Sequence, residues 1–385
     1  MYNIDLASTV WHIISALLIF IFGWFLTLKC SWFLQISQKL STGLYFYHTM
    51  FCFVALSYVL KHGGDAVNYY YWGAEPLASF RPGTVAINYI TSILHQLDLS
   101  ILGMFLVFNF FGSIGLLFVY ASLNTITGNS SLFLRRLVLV FLFLPSVSFW
   151  SSSLGKDAIS FLAMGIALFS SLNFHKRILL MFIALVLMLL VRPHMAGIMI
   201  IAVVISTVLS RDISLIPRFV LGSIGLVTAL IMIPFALEYA GVENDASNLE
   251  SYIETRQGYN QEGGGGIDIS SMSLPMQMFT YMFRPLPVEA HSITQLLASL
   301  DNMLLMYLCY LALKAKLTTK NLCLTGNRIF MWWYVFISWV ILSMTTANLG
   351  IAVRQKWMFT PILIFLIISI IASAQEARRK SNSYD

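Results

Sequence analysis

Charged residues are scarce in this chain. Only 10% of its 385 residues are aspartate, glutamate, lysine or arginine, whereas 58% are hydrophobic. Soluble globular domains have about 25% charged residues and about 45–50% apolar residues. A composition so far from that range excludes an ordinary soluble domain. It predicts a protein that crosses a membrane several times.

Motifs that bind metals or nucleotides are also lacking. The four cysteines are Cys30, Cys52, Cys309 and Cys323. None has CxxC or cysteine–histidine spacing, so the sequence supports neither a disulfide framework nor a zinc site. It contains no GxxxxGK[ST] motif and no GxGxxG motif after a strand. We therefore expect no metal and no cofactor, and ATP-driven transport within this chain is excluded.

Apolar stretches recur along the whole chain, most of them near the ~20 residues that a helix needs to cross a bilayer. We predict an all-α fold, a polytopic transmembrane bundle that forms a single membrane domain over residues 1–385. Arg192-Pro193-His194 interrupts one long stretch, which forms either two crossings or a re-entrant hairpin. About 11 spans are expected, at residues 10–28, 45–60, 101–121, 134–150, 157–172, 178–192, 195–210, 219–237, 302–313, 329–346 and 357–373.

The loops between these stretches differ in charge. If alternate loops are taken as cytoplasmic, those loops hold 15 of the 23 basic residues but only 3 of the 17 acidic residues. Short cytoplasmic loops of membrane proteins are enriched in lysine and arginine. The split predicts an N-terminus outside and a C-terminus in the cytoplasm. The net charge of +6 is thus a topology signal and does not indicate nucleic-acid binding.

Two long segments fall on the predicted outer side, residues 61–100 and 238–301. Apolar residues in the first recur at helical spacing, which predicts an amphipathic helix lying on the membrane surface. These residues are Ile87, Ile90, Leu94 and Leu97. The second segment contains four consecutive glycines, Gly263–Gly266. That run lacks the pattern of a phosphate-binding loop, and we interpret it as a flexible hinge.

Several predicted spans carry a cation at their outer end. Ionisable groups at membrane depth are costly and usually face a cavity or a partner. Arginine also binds phosphate oxygens bidentately and stays charged. This set of outer cations therefore predicts an anion-binding cleft. The alternative is that each side chain only extends towards lipid headgroups, and that Asp157 only caps a helix. The cations are Lys156, Arg192, Arg284, Arg354 and Lys356.

A carboxylate and several aromatic residues occur together early in the first outer segment. Asp65 follows two glycines and precedes an aromatic run that consists of Tyr69, Tyr70, Tyr71 and Trp72. Flat aromatic faces and a hydrogen-bond acceptor suit a sugar ring with its hydroxyl groups. The alternative for the aromatic residues is a belt at the membrane interface. We favour a sugar site for Asp65.

In these segments the chain resembles the bacterial oligosaccharide repeat-unit polymerases, which make O-antigen and capsule, and the related EpsG-type membrane proteins. The resemblance covers most of the chain. It rests on many spans, little cytoplasmic mass and a glycine-aspartate-tyrosine segment after an early span. It continues in four short stretches, which read FWSSSLGKDA, LVRPH, MFRPLPVEA and NLGIAVRQKW.

The resemblance implies a glycosyltransferase-type reaction on the outer leaflet of the bacterial inner membrane. A glycan carried on undecaprenyl diphosphate would be transferred to a lipid-linked repeat unit, with release of undecaprenyl diphosphate. The implied partners are the lipid-linked oligosaccharide and membrane lipid. A chain-length regulator and a flippase of the same pathway are further candidates. Neither nucleic acid nor a cofactor is implied.

That reaction assigns roles to individual residues. We predict that Arg192 acts on the diphosphate, with Asp65 as the first choice of base and Glu289 as the second. Arg256 precedes the glycine run and would lie on a loop that closes over substrate. The residues predicted to bind substrate are Lys156, Arg284, Arg354, Arg256, Tyr69, Tyr70, Trp72 and His194.

Three alternative functions stay open at this point. A multispan glycosyltransferase that uses a polyprenyl phosphate usually has its acidic outer loop after the first span, whereas Asp65 follows the second predicted span. An O-antigen ligase would use the same substrate chemistry. A flippase for lipid-linked sugars is the non-enzymatic alternative, for which we would expect charges in mid-span and repeated halves.

Overall fold

The computed structural model describes residues 6–210, 265–319 and 324–381, together with residues 218–220, 222, 223, 225 and 227. Within these ranges the chain is helical, and no β-strand is present apart from one isolated bridge between Gly266 and Asn348. The all-α prediction is therefore confirmed. Two predicted features lie outside the described residues, Arg256 and most of the predicted span 219–237.

Helices follow one another with short connections. Before residue 211 they are α1 (Val10–Phe33), α2 (Gln38–His62), α3 (Asp65–Ala74), α4 (Thr84–Gln96), α5 (Ile101–Thr127), α6 (Leu132–Leu142), α7 (Pro145–Ser151), α8 (Lys156–Ser171), α9 (Ile178–Val191) and α10 (Pro193–Leu209). After residue 264 they are α11 (Leu274–Phe283), α12 (Ile293–Thr318), α13 (Arg328–Thr345), α14 (Leu349–Gln355) and α15 (Thr360–Ser381). Single 3-10 turns lie at His175–Arg177, Pro287–Glu289 and Lys356–Met358.

Seven helices among the described residues are long and apolar enough to cross a membrane. One of them consists of α6 and α7. They are separated at Pro145, because proline has no amide hydrogen to donate and its ring clashes with the preceding helical turn. The seven are Val10–Phe33, Gln38–His62, Ile101–Thr127, Leu132–Ser151, Ile293–Thr318, Arg328–Thr345 and Thr360–Lys380. The prediction of a multi-pass membrane protein is confirmed at this level.

The larger count of about 11 full spans is not confirmed. Three predicted spans form helices that are shorter than the others, namely α8, α9 and α10. The 16 residues of α8 give a helix of about 24 Å, and the 14 residues of α9 give one of about 21 Å. Both lengths are below the roughly 30 Å of a bilayer core.

The helices pack into two compact units. The first unit comprises Met1–Ser122, Val138–Phe169 and Leu179–Arg192. Its apolar core is drawn mainly from α2, α4, α5, α8 and α9, which shows that the short helices α8 and α9 are integral parts of the packing. Fully buried members of this core are Cys52, Ile87, Met104, Phe105, Phe108, Ala158 and Val191.

A chain of hydrogen bonds joins α2, α5 and α7 inside this unit. The His48 Nδ1 atom lies 2.6 Å from Asn109 Oδ1, and its Nε2 atom lies 2.8 Å from Ser151 Oγ. Asn109 Nδ2 donates to Thr49 Oγ1 at 2.9 Å. All four side chains are buried. Because buried polar groups are stable only when hydrogen-bonded, this chain fixes the relative rotation of the three helices.

The second unit comprises Leu123–Leu137, Ser170–Ile178 and Pro193–Asp385. In it α13 packs against α10, α11 and α15, and α12 packs against α15. Four loop segments meet at one end of the unit. Asn327 N donates to Ser171 O at 2.8 Å, and Arg379 Nη1 donates to Asn129 O at 2.7 Å. These loops are the ones that the distribution of charge assigns to the cytoplasm.

The opposite end of the second unit has a different construction. Ile267 N donates to Ala347 O, and Leu349 N donates to Gly265 O, each at 2.9 Å. The last two residues of the glycine run are therefore bound to the start of α14 through their main chain. A hinge cannot include these two positions, and the hinge interpretation is restricted to Gly263 and Gly264, which lie outside the described residues.

Close packing at Gly112 generates a stability prediction. A Cβ atom at this position of α5 would lie 2.0 Å from the main-chain oxygen of Ser151 and 2.8 Å from His48 Cε1. Gly112→Ala should therefore lower the thermal unfolding temperature of the purified protein, because overpacking costs about 1–3 kcal/mol. Gly43→Ala is the matched control, since a Cβ there meets no atom within 4 Å. Equal unfolding temperatures for the two variants would show that α5 and α7 do not pack as described.

Candidate functional site

The first long outer segment forms a helical hairpin. Gly63 and Gly64 have φ values of 76° and 130°. These positive values let the chain turn after α2, so that α3 begins at Asp65. α3 then packs against α4 at Gly73, where an added Cβ would lie 2.2 Å from Thr91 Oγ1. The same Thr91 hydroxyl donates to the Tyr69 main-chain oxygen at 3.0 Å. Asp65 is exposed in the first turn of α3.

The aromatic residues of α3 have different surroundings. Tyr69 is 2% exposed and belongs to the core, with its ring against Gly155. Tyr70 is half-buried, its ring lies 4.8 Å from that of His95, and burial raises the pKa of its hydroxyl. Tyr71 and Trp72 are exposed. The exposed aromatic surface is thus formed by Tyr71, Trp72 and part of Tyr70, whereas Tyr69, predicted to bind substrate, is part of the core.

Three helix ends of the first unit meet beside this hairpin. Lys156 Nζ, at the start of α8, donates to Thr84 Oγ1, at the start of α4, at 2.9 Å. Gly83 N donates to Leu190 O at 2.8 Å and so attaches the segment before α4 to the end of α9. The start of α4, the start of α8 and the end of α9 therefore lie together at one end of the unit.

Asp157, which follows Lys156, forms an ion pair with Arg192. Arg192 Nη2 donates to Asp157 Oδ1 at 2.7 Å, and each side chain is only 11% exposed. Among the described residues, Arg192 Nε has no hydrogen-bond partner. Asp157 is thus more than a helix cap, because its carboxylate holds the guanidinium in place. We name Lys156, Asp157 and Arg192 the first-unit charge cluster.

A second set of charges lies in the second unit. Arg284 follows α11, and its Nε and Nη2 atoms donate to Glu289 Oε1 at 2.9 and 2.8 Å. Leu286 N also donates to Glu289 Oε2 at 2.8 Å. The hydrogen bonds from Arg284 lower the pKa of Glu289 despite partial burial. A carboxylate with so many donors is a weak base, which counts against the predicted role of Glu289 as a base.

Lys356 is buried in the 3-10 turn before α15, with 1% exposure. Its Nζ atom donates to Asn302 Oδ1, and Asn302 Nδ2 donates to Pro285 O at 3.0 Å. Lys356 is thereby linked through Asn302 to the turn that contains Arg284. Neither Asn302 nor the neighbouring Asp301 is among the predicted site residues. The signal that identifies them is a pair of polar residues inside the apolar sequence of α12.

The remaining predicted residues are distributed over both units. Arg354 lies in the last turn of α14, which Asn348 caps by accepting from Gly350 N at 2.9 Å. His194 is the second residue of α10 and is half-buried. The structure thus groups Lys156 with Arg192, and Arg284 with Glu289. Over the described ranges, the chain has no cluster of histidine, cysteine, aspartate and glutamate that would hold a metal.

Comparison with known proteins gives no relative. No family model matches the chain, and neither a curated protein nor a solved structure is similar to it.

The buried Lys356 generates a pH prediction. Burial lowers its pKa from 10.5 to about 8, and the charge of Asp301 opposes that shift. Between these two pH values the unfolded chain still binds the proton that the folded protein has released, so the free energy of unfolding should rise with pH. The stability penalty is complete below pH 8 and disappears as the pH approaches 10.5.

The measurement is the thermal unfolding temperature of the wild type and of Lys356→Met between pH 7 and pH 10. The difference between the two proteins should shift in favour of the wild type as the pH rises. Lys316→Met, at an exposed lysine of α12, is the control and should show no such trend. A constant difference at all pH values would mean that Lys356 stays protonated throughout.

Proposed function

We propose that this protein polymerises oligosaccharide repeat units carried on undecaprenyl diphosphate, at the outer leaflet of the bacterial inner membrane. The product would be O-antigen, capsule or another exopolysaccharide. The observation on which the proposal depends most is the first-unit charge cluster, in which two half-buried cations and one carboxylate lie beside the α3–α4 hairpin. A diphosphate leaving group requires such fixed cations.

Charge asymmetry supports the orientation that the proposal needs. The end of the second unit where residues 129, 171, 327 and 379 meet carries Lys176, Arg177, Arg328, Arg378 and Arg379. Under the positive-inside rule this end is cytoplasmic. With the N-terminus outside and the C-terminus inside, the first-unit charge cluster would face out. The seven long helices, the short helices α8, α9 and α10, and the predicted span 219–237 would together make about 11 membrane segments.

Arg192 has hydrogen-bonding capacity left for a ligand. Asp157 accepts from its Nη2 atom, while its Nε atom has no partner in the described part of the chain. Guanidinium donors match the oxygens of phosphate groups in pairs. Lys156 is proposed to bind the substrate as well. The substrate-binding roles of Arg284 and Arg354 in the second unit stay predictions, as does that of Arg256, which lies outside the described residues.

The acceptor sugar is proposed to bind at α3. Exposed Trp72 and half-buried Tyr70 offer faces for sugar rings, and the exposed carboxylate of Asp65 would accept the proton of the acceptor hydroxyl. That hydroxyl oxygen would form a bond to the anomeric carbon of the donor glycan. The bond between this carbon and the diphosphate oxygen would break, and undecaprenyl diphosphate would leave with the electron pair. His194 would contact the substrate beside Arg192.

Substitution of Arg192 tests the proposal directly. Arg192→Ala should abolish most long-chain surface glycan, because the loss of a charge-assisted contact to the leaving group costs roughly 2–4 kcal/mol, on the order of a hundredfold in rate. Arg192→Lys keeps the charge without the paired donors and should retain part of the activity. The measurement is a gel of surface glycan with an immunoblot for the protein. Cells with Arg192→Ala should still display glycan of a single repeat unit.

The double variant Arg192→Ala/Asp157→Ala separates chemistry from packing. If activity is lost only because Asp157 has become an unpaired buried charge, the double variant should recover long chains. If Arg192 contacts the diphosphate, the double variant should stay inactive. Loss of the single-repeat species would favour a flippase, and long chains that accumulate on the lipid carrier would favour a ligase. Normal chain length in Arg192→Ala at normal protein level would reject the site.

The orientation has its own test. In a variant without native cysteines, single cysteines are introduced at Ser79 and Thr318, which are both exposed. The residue at 79 should react with a membrane-impermeant thiol reagent in intact cells, whereas the residue at 318 should react only after cell lysis. The reverse labelling pattern would place the first-unit charge cluster in the cytoplasm and contradict a reaction on the outer leaflet.

A further inference from the structure

A polar cavity of about 160 Å³ lies in the second unit, at the end where the basic loops meet. The volume is sufficient for several waters or a phosphate group, since one water occupies about 30 Å³ in the liquid. The cavity lies among the end of α5, the start of α13 and the last turns of α15. The lining residues that carry the argument are Arg328, Arg379, Ser369, Ser373, Gln375 and Glu376.

Arg328 has an incomplete set of partners. Its Nε atom donates to Thr325 O at 2.8 Å and its Nη1 atom to Ser369 Oγ at 2.7 Å, while its guanidinium lies 5.4 Å from the Phe365 ring centre. Its Nη2 atom is buried and has no acceptor among the described residues. A buried donor without an acceptor is costly. A turn of this side chain towards the cavity would bring that donor to a ligand oxygen.

The other lining groups also suit an anion. The Arg379 side chain is exposed at the cavity and uses its Nη1 atom to donate to Asn129 O. Glu376 is the acidic residue of the lining, and its carboxylate forms an exposed ion pair with Lys380 Nζ at 2.8 Å. Gln375 accepts from Ser131 N through Oε1, so its amide nitrogen is available as a donor. The cavity therefore combines two guanidinium groups with neutral donors.

We propose that this cavity is a binding site for a phosphate group, held by Arg328 and Arg379 with Ser373 and Gln375 as neutral donors. Basic pockets between helices at a cytoplasmic membrane surface bind the headgroups of anionic lipids. A soluble phosphate is the other source of the same chemistry. The site is separate from the proposed reaction, because the basic end of the second unit is proposed to be cytoplasmic whereas the reaction is proposed on the outer leaflet.

The test uses the purified full-length protein and three variants. Arg379→Gln removes one cation, and Ser373→Leu fills the cavity without a change of charge. Arg378→Gln is the matched control, because Arg378 lies at the same end, donates to Thr318 Oγ1 and is not part of the lining. Arg328 is left unchanged because it also holds the Thr325 main chain. Each variant is first checked for a wild-type circular dichroism spectrum and a single peak in size-exclusion chromatography.

Two arms distinguish the sources of the phosphate. In the first, native mass spectrometry measures phosphatidylglycerol and phosphatidylcholine that remain bound after detergent exchange. In the second, the thermal unfolding temperature is measured in potassium phosphate and in potassium chloride of equal ionic strength. The wild type and Arg378→Gln should retain phosphatidylglycerol about tenfold more strongly than Arg379→Gln and Ser373→Leu, which lack a charge-assisted contact or the space for it.

Each outcome supports or overturns the site. Retention of phosphatidylglycerol that both cavity variants lose supports the site with a lipid headgroup as its ligand. A rise in unfolding temperature with inorganic phosphate, lost in the same two variants and without selective lipid retention, supports the site with a soluble phosphate. Equal behaviour of all four proteins in both arms overturns the proposal. Loss in Arg378→Gln equal to that in Arg379→Gln also overturns it, because general surface charge would then explain the binding.

Discussion

A charged side chain surrounded by apolar residues needs another group to share its charge or its hydrogen bonds. This chain has few charges, and its buried and half-buried cations satisfy that requirement with partners close by. Arg192 pairs with Asp157, Arg284 pairs with Glu289, and Lys356 donates to Asn302. Each partner comes from a neighbouring helix or from the adjacent turn. The requirement therefore determines where helices begin, where they stop and which ends come together.

The ion pairs satisfy this requirement to different degrees. Arg284 donates to both oxygens of Glu289. Arg192 donates to Asp157 through Nη2, and its buried Nε atom has no partner among the described residues. Arg328 resembles Arg192 in this respect, although it lies at the basic end of the second unit. An arginine at a helix end can therefore be fully or only partly hydrogen-bonded, and its position in the sequence does not reveal which.

Much of the architecture follows from the sequence, because apolar runs and charge bias report directly on helices and their alternation. The helical fold and the lengths of α8 and α9 were predictable, since the apolar runs 157–172 and 178–192 nearly match the observed helices. The α3–α4 hairpin and the ion pair between Arg192 and Asp157 were not, because apolar composition does not show which helices pack together. Tyr69 illustrates the same limit. Its sequence neighbours indicate an aromatic surface, whereas its ring belongs to the core.

The partners of the cations were harder to predict than the cations themselves. Asn302 lies 54 residues from Lys356 in sequence, and Thr84 lies 72 residues from Lys156. Periodicity reports on local structure and carries no information about such distant pairs. Asp157 was interpreted from the sequence only as a possible helix cap. Only the helix packing shows that its partner is Arg192.

The contact between α3 and α4 has a consequence for how the sequence can change over time. Gly73 leaves no room for a side chain because the Thr91 hydroxyl occupies that space and is itself held by the Tyr69 main chain. A larger residue at 73 is tolerable only with a smaller one at 91. Among any descendants of this chain the two positions should therefore vary together. Correlated changes at these two positions would indicate the contact between α3 and α4 from sequences alone, whatever ligand the hairpin binds.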